Sequence, residues 1–336
     1  MPVSSVGPVL RDQQCHDCNA EPIVIGLVNN MPDTALRTTE RQFRELIAAA
    51  SNNVEVRLRL FSLPQLPRSH AARSYLDPHY EDISELWTGQ FDGMIVTGTE
   101  PRAPSLTDEP YWRTLAKLVD WAEDHTISTI WSCLAAHAAV LQRDGLVRHA
   151  VGEKLFGVFD CVKAADHAIV LDAPPRWRVP HSRYNGLPKE GLVSRGYQIL
   201  SWSAEAGVDM FVAQRKSMFI FLQGHPEYDP GALFREYRRD IRRFLIGQRD
   251  NYPVMPRGYF DAETAAVFSA FQERAVRNQE IDLLSGFPDV TEAKLPHSWR
   301  RLAMRIYANW LSYLIEQRSR KHRPLEAEAF RRGQGV

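Results

Sequence analysis

Cysteine is scarce in this chain, with four in 336 residues. So few thiols in a chain of this length exclude a disulfide-stapled scaffold. A surplus of charge is missing too, since 41 Lys and Arg face 41 Asp and Glu. Proteins that hold nucleic acid concentrate basic residues on one face, so no nucleic-acid partner is expected. The Arg-rich stretch Arg318-Ser-Arg-Lys-His-Arg323 reads as a solvated end, not a binding arm. No apolar run approaches the ~20 residues that cross a bilayer. Residues 1–19 lack the apolar core of a secretory signal. No membrane partner is expected, and a cytoplasmic location is. Internal repeats and low-complexity tracts are absent as well. What remains, 44% hydrophobic and 24% charged residues, is ordinary globular composition.

The first half alternates between two periodicities. Pro22–Val28 is a continuous apolar run, typical of a strand buried on both faces. A helix capped near Thr38 runs to Ala50, and Val54–Phe61 alternates as a second strand. Residues 64–78 read as a Pro-containing loop and 79–87 as a short helix. Phe91–Gly98 is a third strand, Thr99–Asp108 a polar loop, and Tyr111–His125 a helix with one apolar face. Strand alternating with helix predicts an α/β fold with an open, mostly parallel sheet flanked by helices, flavodoxin-like in kind. Working residues in such sheets collect beyond the C-terminal ends of the strands. In the second half Leu155–Val162 reads as a strand and Pro180–Tyr184 as a polar turn. Tyr197–Ser203, Val208–Gln214 and Met218–Gln223 read as a β-meander. Helices are expected at 231–246, 262–281 and 300–318.

One stretch combines these signals with chemistry. In Ile127-Ser-Thr-Ile-Trp-Ser-Cys-Leu-Ala-Ala-His137 a β-branched strand runs into a small-residue turn and an Ala-rich helix. A Cys on that turn is a nucleophile elbow, where the helix N-terminus favours the reactive thiolate. Taken alone, such a Cys is more often a buried structural residue. A cysteine nucleophile also needs a base, and the base needs an orienting group. His225 directly follows the strand 218–223, and Glu227 lies two residues on, across the conformationally restricted Pro226. Cys133, His225 and Glu227 are therefore the candidate catalytic set, with roles analogous to Ser-His-Asp. His137 stands one turn from Cys133, as packing or support.

Several short motifs carry a resemblance: Gly224-His-Pro-Glu-Tyr-Asp229, Pro180-His-Ser-Arg-Tyr184, Val96-Thr-Gly98, Glu153-Lys154 with Gly157-Val158, and Asn309-Trp310-Leu311. In this order they resemble the bacterial homoserine O-succinyltransferase and O-acetyltransferase family, which is built on the class I glutamine amidotransferase fold. The likeness runs from about Ile23 to Gln317. It implies an acyl-CoA-dependent O-acyltransferase of methionine biosynthesis, with succinyl-CoA or acetyl-CoA as donor and L-homoserine or a related amino alcohol as acceptor. It implies no cofactor beyond the acyl-CoA co-substrate, and no metal. Cys133 matches the acyl-accepting nucleophile, His225 the general base and Glu227 its orienting acid. Lys154, Ser182 and Arg239 match positions lining the amino-acid pocket. A guanidinium such as that of Arg239 can bind the homoserine carboxylate in bidentate fashion. Oxyanion donors are expected near the elbow, with one from the Asn29–Met31 loop.

The chain also departs from the family pattern. Ala-Pro commonly follows the Thr-Gly pair, whereas here Thr99-Glu-Pro-Arg102 does, which puts Glu100 and Arg102 on the loop implicated in acyl choice. A cation at Arg102 could pair with the free carboxylate of a succinyl group, so succinyl-CoA is the expected donor. Leu134 and His137 stand where Trp and Gln are usual. Residues 261–294 read as an added helical insertion serving dimerisation or a lid, so a homodimer is among the expected partners. The expected organisation is a flexible arm at 1–20 holding Cys15 and Cys18, a single acyltransferase domain at 21–320 and a polar tail at 321–336. Two alternatives remain open: the same chemistry with acetyl-CoA or with serine as acceptor, and a glutamine-hydrolysing amidotransferase using a similar triad.

Overall fold

The computed structural model describes residues 21–322. The expected arm at 1–20, with Cys15 and Cys18, and all but the start of the expected tail at 321–336 lie outside the described residues. Along the chain run β1 (Ile23–Val28), α1 (Asp33–Ala50), β2 (Val56–Phe61), α2 (His70–His79), α3 (Ile83–Thr88), β3 (Gly93–Val96) and α4 (Trp112–His125). Then follow β4 (Ser128–Ser132), α5 (Leu134–Asp144), β5 (His149–Lys163), β6 (Arg176–Gly186), α6 (Lys189–Val193) and β7 (Gln198–Ser203). The last are β8 (Gly207–Gln214), β9 (Met218–Leu222), α7 (Ala232–Leu245), α8 (Ala262–Arg277) and α9 (Arg300–His322).

The strands form one open sheet in the order β2-β1-β3-β4-β9-β8-β7-β5-β6. Pairing is parallel from β2 through β9 and antiparallel from β9 through β6. The parallel part has the flavodoxin-like order expected from the alternation. Neighbours β2 and β3 flank β1 on opposite sides, so the chain leaves β1 and β3 in diverging directions and opens a crevice at the strands' C-terminal ends. The meander expected at 197–223 is β7, β8 and β9, with β9 completing the parallel half beside β4.

Two apolar cores sandwich this sheet. Helices α4 and α5 cover one face with Leu115, Leu118, Ala135 and Ala139, against Val96, Trp131 and Phe221. Helices α1 and α9 cover the other with Phe43, Leu46, Ile306 and Leu314, against Ile25, Ile95 and Ile130. The Asn309-Trp310-Leu311 motif fastens α9. Trp310 donates its indole N–H to Ser128 Oγ at 3.0 Å, and its ring lies where a Cβ on Gly93 would come within 2.7 Å. Asn309 donates to the Ile169 and Leu171 carbonyls, both at 3.0 Å. A third core joins α7 to α8 through Tyr237, Phe268, Phe271 and Trp299, so residues 261–294 form a helical layer over α7. Gly157 admits the loop that leads into α8: Val158 N–H donates to Arg257 O at 2.8 Å, and a Cβ on Gly157 would come within 2.2 Å of that same oxygen. No helix among the described residues is long and apolar enough to cross a membrane.

Two local expectations differ from the structure. The loop expected at 64–78 contains α2, started by Ser69 Oγ accepting from Ala72 N–H at 3.2 Å, with Pro78 confined to its last turn. The polar turn expected at Pro180–Tyr184 is instead part of β6, where His181 faces Gly157 and Ser182 faces Phe156 across the ladder. The polarity that suggests a turn in the sequence arises because this strand end is itself a wall of the crevice.

Candidate active site

Cys133 stands between the end of β4 and the start of α5, with φ 53° and ψ −114°. A non-glycine residue rarely adopts this backbone, which costs about 1–3 kcal/mol and persists only where the surroundings enforce it. Here its N–H donates to Leu222 O on β9 at 2.7 Å, and its carbonyl accepts from Ala136 N–H at 3.0 Å and His137 N–H at 3.3 Å. The bend lifts the partly exposed Cys133 to the crevice at the N-terminus of α5, where the helix dipole favours an anion. Gly98 packs directly against it, since a Cβ there would approach Leu134 N to 2.9 Å and Leu134 Cβ to 3.0 Å. This is the physical reason for a glycine in Val96-Thr-Gly98.

His225 and Glu227 follow β9, the strand paired to β4, so the sheet brings them beside Cys133. The His225 N–H is tied to Pro180 O at 2.8 Å, and its ring stacks on Tyr228 with centroids 4.3 Å apart. Nδ1 lies 2.8 Å from Glu227 Oε1, which leaves Nε2 for Cys133. Burial opposes a charge on the ring. The Glu227 carboxylate and Cys133, acting by charge and by hydrogen bonding, outweigh that cost and hold the imidazolium well above the ordinary histidine range. Glu227 Oε2 is buried without a partner, as is the hydroxyl of Tyr307 on α9, whose phenol feels the Glu227 charge. Gly224 is required by the same crowding. A Cβ there would lie 2.6 Å from Val179 Cγ1, 2.7 Å from Asp209 Oδ1 and 3.0 Å from His181 Nε2.

The three pocket residues expected from the motifs also meet, on two carboxylates that sequence reading misses. Lys154 Nζ lies 3.0 Å from Asp240 Oδ2 and 3.5 Å from Glu236 Oε2. Ser182 donates to Glu236 Oε2 at 2.6 Å, and Arg239 donates to Asp240 Oδ1 through Nε and Nη2 at 3.0 and 2.9 Å. Burial pushes the Glu236 and Asp240 carboxyls toward the neutral acid, but the Lys154 and Arg239 charges prevail and hold both below their ordinary values. Their signal was the four-residue spacing that places both on one face of α7. In the sequence they look like part of an Arg-rich solvated helix, and only the packing of α7 over β5 and β6 buries them.

The acyl-choice pair separates. Glu100 lines the Cys133 pocket and binds Arg243 at 2.9 and 3.1 Å, which holds its carboxyl down. Arg102 lines only the neighbouring depression, whose wall Glu100 shares, with its backbone N–H anchored on Glu109 Oε1 at 2.5 Å. The loop 29–31 does not offer the free amide expected of it. Asn29, Asn30 and Met31 donate their N–H groups to Phe61 O, Thr97 Oγ1 and Asn29 Oδ1, at 2.8, 2.8 and 3.2 Å. At the elbow the Leu134 N–H opens α5, where no intrahelical acceptor exists.

His137 is buried, with Nε2 2.8 Å from Gln223 Oε1. Because the Gln223 amide donates to Val208 O, its Oε1 must accept, so His137 carries its proton on Nε2. Burial pushes its pKa down to about 3, so the ring is neutral. Cys161, His181 and Asp209 form a buried set behind Gly224 whose polar atoms could reach one ion. His181 Nδ1 accepts from Arg183 Nε at 3.2 Å, which leaves the ring proton on Nε2, 3.3 Å from Asp209 Oδ1. That proton and the neighbouring guanidinium suit a hydrogen-bonded support better than a cation cage.

A strained cysteine, a histidine and a carboxylate thus share one rim with a pocket of paired charges, an arrangement suited to covalent acyl transfer. A family model for homoserine O-succinyltransferase matches residues 5–321. The homoserine O-succinyltransferase of Rhodopseudomonas palustris is 44% identical over 318 residues, covering 93% of this chain and 96% of its own. That of Bradyrhizobium japonicum is 47% identical over 300 residues, covering 88% and 90%. A solved glutamine amidotransferase from Thermotoga maritima superposes over 89% of this chain and 98% of its own, at 12% identity and a TM-score of 0.48. The family model and the two relatives, by their length and identity, lead to one assignment: the chain belongs to the homoserine O-succinyltransferase family.

Proposed function

We propose that this chain is a homoserine O-succinyltransferase acting in methionine biosynthesis through a succinyl-Cys133 intermediate. The observation that carries the reading is the strained Cys133 elbow facing the His225–Glu227 pair, in a chain that matches its named relatives over nearly their whole length. In the first half-reaction the Cys133 thiolate attacks the thioester carbonyl of succinyl-CoA. The tetrahedral oxyanion is held by the Leu134 N–H, with backbone of the adjoining Gly98 turn beside it. Collapse breaks the bond to the CoA sulfur, and the His225 imidazolium protonates that sulfur as it leaves. His225, now neutral, takes the proton from the homoserine γ-hydroxyl as the oxygen attacks the acyl carbon. The carbon–sulfur bond to Cys133 breaks, and the thiolate–imidazolium pair is restored.

Lys154, Ser182, Arg239, Glu236 and Asp240 form the homoserine pocket in this reading. Arg239 keeps guanidinium N–H groups beyond those used on Asp240, and these bind the amino-acid carboxylate. Glu100, on the pocket wall and paired with Arg243, bounds the space beside the acyl group. Arg102, exposed over the neighbouring depression, would act there only at a distance. A reactive free thiol suits a reducing compartment, which supports a cytoplasmic setting.

The test is an intact mass after incubation with succinyl-CoA or acetyl-CoA in the absence of acceptor. A succinyl adduct lost in Cys133→Ala and discharged by homoserine supports the reading. An acetyl adduct alone moves the donor to acetyl-CoA, and discharge by serine but not homoserine moves the acceptor. No adduct from either donor, together with hydrolysis of glutamine, would instead indicate an amidotransferase.

A further inference from the structure

The Cys133 pocket is lined by several cations, and the structure shows which of them are already matched. Lys154 and Arg239 are held by Asp240 at 3.0 and 2.9 Å, and Arg243 by Glu100 at 2.9 Å. Arg249 lies 3.8 Å from Asp240. The buried Arg183 donates to the carbonyls of Asn185 and Ala206. Arg148 also lines this pocket, yet among the described residues it makes neither a hydrogen bond nor an ion pair.

Its place in the fold explains why the charge is held there. Arg148 ends the short connection from α5 to β5, and Leu146, two residues earlier, is anchored in the core at 8% exposure. The guanidinium is half-buried, and burial disfavours its charge. Tyr111, Cys133 and Glu109 act on it favourably, but none of them bonds it. The Tyr111 hydroxyl is itself buried without a partner and feels the Arg148 charge. A half-buried guanidinium without a counter-ion in the wall of this pocket is a site that gains by taking up an anion. The acyl group on Cys133 extends from the sulfur into this same pocket. An acetyl group carries no charge there, whereas a succinyl group ends in a carboxylate.

We propose that Arg148 binds the distal carboxylate of the succinyl group carried on Cys133 and so sets the preference for a dicarboxylic acyl donor. This is the role that the sequence suggested for Arg102. It rests on the acyl-cysteine reading above. The other anions available to Arg148 are the phosphates of CoA, which every acyl-CoA shares, so donors of equal length with and without the carboxylate separate the two.

The experiment measures the rate of Cys133 acylation by succinyl-CoA and by butyryl-CoA, for the wild-type chain, Arg148→Gln and Arg148→Lys. Losing one charge-assisted hydrogen-bonded contact should cost about tenfold to a hundredfold in succinyl-CoA acylation. Butyryl-CoA acylation should stay within about twofold, because that donor has no carboxylate to lose. Arg148→Lys should fall between, since it keeps the charge and loses the fork. Equal losses for both donors would place the anion on CoA and overturn the inference, as would an unchanged ratio of the two rates. Failure of the wild-type chain to form any acyl-Cys133 would instead remove the reading beneath it. Circular dichroism of each variant confirms that the fold survives, and should Arg148→Gln not fold, the ratio in Arg148→Lys decides.

Discussion

Replacing Glu227 by Gln should uncouple the Cys133–His225 pair while leaving the chain folded. The carboxylate accepts from His225 Nδ1 at 2.8 Å, both side chains are buried, and the ring charge is maintained against desolvation mainly by Glu227 and Cys133. An opposite charge at this range is worth about 1–3 units of pKa, equivalent to about 1.4–4 kcal/mol of imidazolium stability. The amide adds a second effect. If its NH₂ turns toward Nδ1, the ring proton moves to Nε2 and His225 no longer presents a base to the acceptor hydroxyl. Together these predict a loss of about 10²–10⁴ in turnover, as for the comparable change in a serine triad. The more direct assay is the pH dependence of Cys133 alkylation by iodoacetamide, read by mass. In Glu227→Gln the His225 pKa falls, and the alkylation profile changes because the imidazolium beside Cys133 is lost at lower pH. Superimposable alkylation profiles for the two proteins would refute the assignment of Glu227 as the group that holds the charge on His225.

Three further outcomes follow from the same geometry. His137 has its pKa lowered by burial to about 3, so the unfolded chain binds more protons between that value and the ordinary 6.5. That difference removes about 2 kcal/mol of stability between pH 8 and pH 5; His137→Gln should retain the Gln223 contact and show a smaller drop in melting temperature over that interval, and an equal drop would put the acid sensitivity elsewhere. Gly224→Ala should destabilise by about 1–3 kcal/mol through overpacking, and should slow Cys133 acylation more than unfolding alone explains, because the clash lies next to His225; normal acylation in the folded fraction would contradict this. Trp310→Ala should cost about 3–5 kcal/mol in denaturant unfolding, since the ring fills the space over Gly93 and its N–H is bonded to the buried Ser128; an effect below 1 kcal/mol would mean that α9 does not depend on that anchor.

The candidate site was legible where the chemistry is local. Cys133 announces itself through a strand, a small-residue turn and a helix within ten residues, and His225 and Glu227 lie two positions apart after another apolar strand. Arg148, Glu236 and Asp240 were not legible. Arg148 is a single charge in a connection, and the two carboxylates sit on a helix whose Arg content marks it as solvated. Pro180–Tyr184 was misleading for a related reason, because a strand that supplies polar residues to a pocket has the composition of a turn. Arg102 looked apt for a succinyl carboxylate by its position on the loop. That loop is pinned to Glu109, which leaves the Arg102 side chain over a different depression.

The sequence alone determined the alternation of elements, the nucleophile with its base, and the family, because each depends on residue type, order and short spacing. Tertiary structure decided which charges are matched and which are free. A guanidinium finds its counter-ion next door in sequence, as Arg239 does in Asp240, or 143 positions away, as Arg243 does in Glu100. Such partners are brought together by the packing of α7 on the sheet and by the crevice that opens where β1 and β3 diverge. The chemistry at Cys133 could therefore be read from the chain, whereas the pocket that chooses its substrates could be read only from the fold.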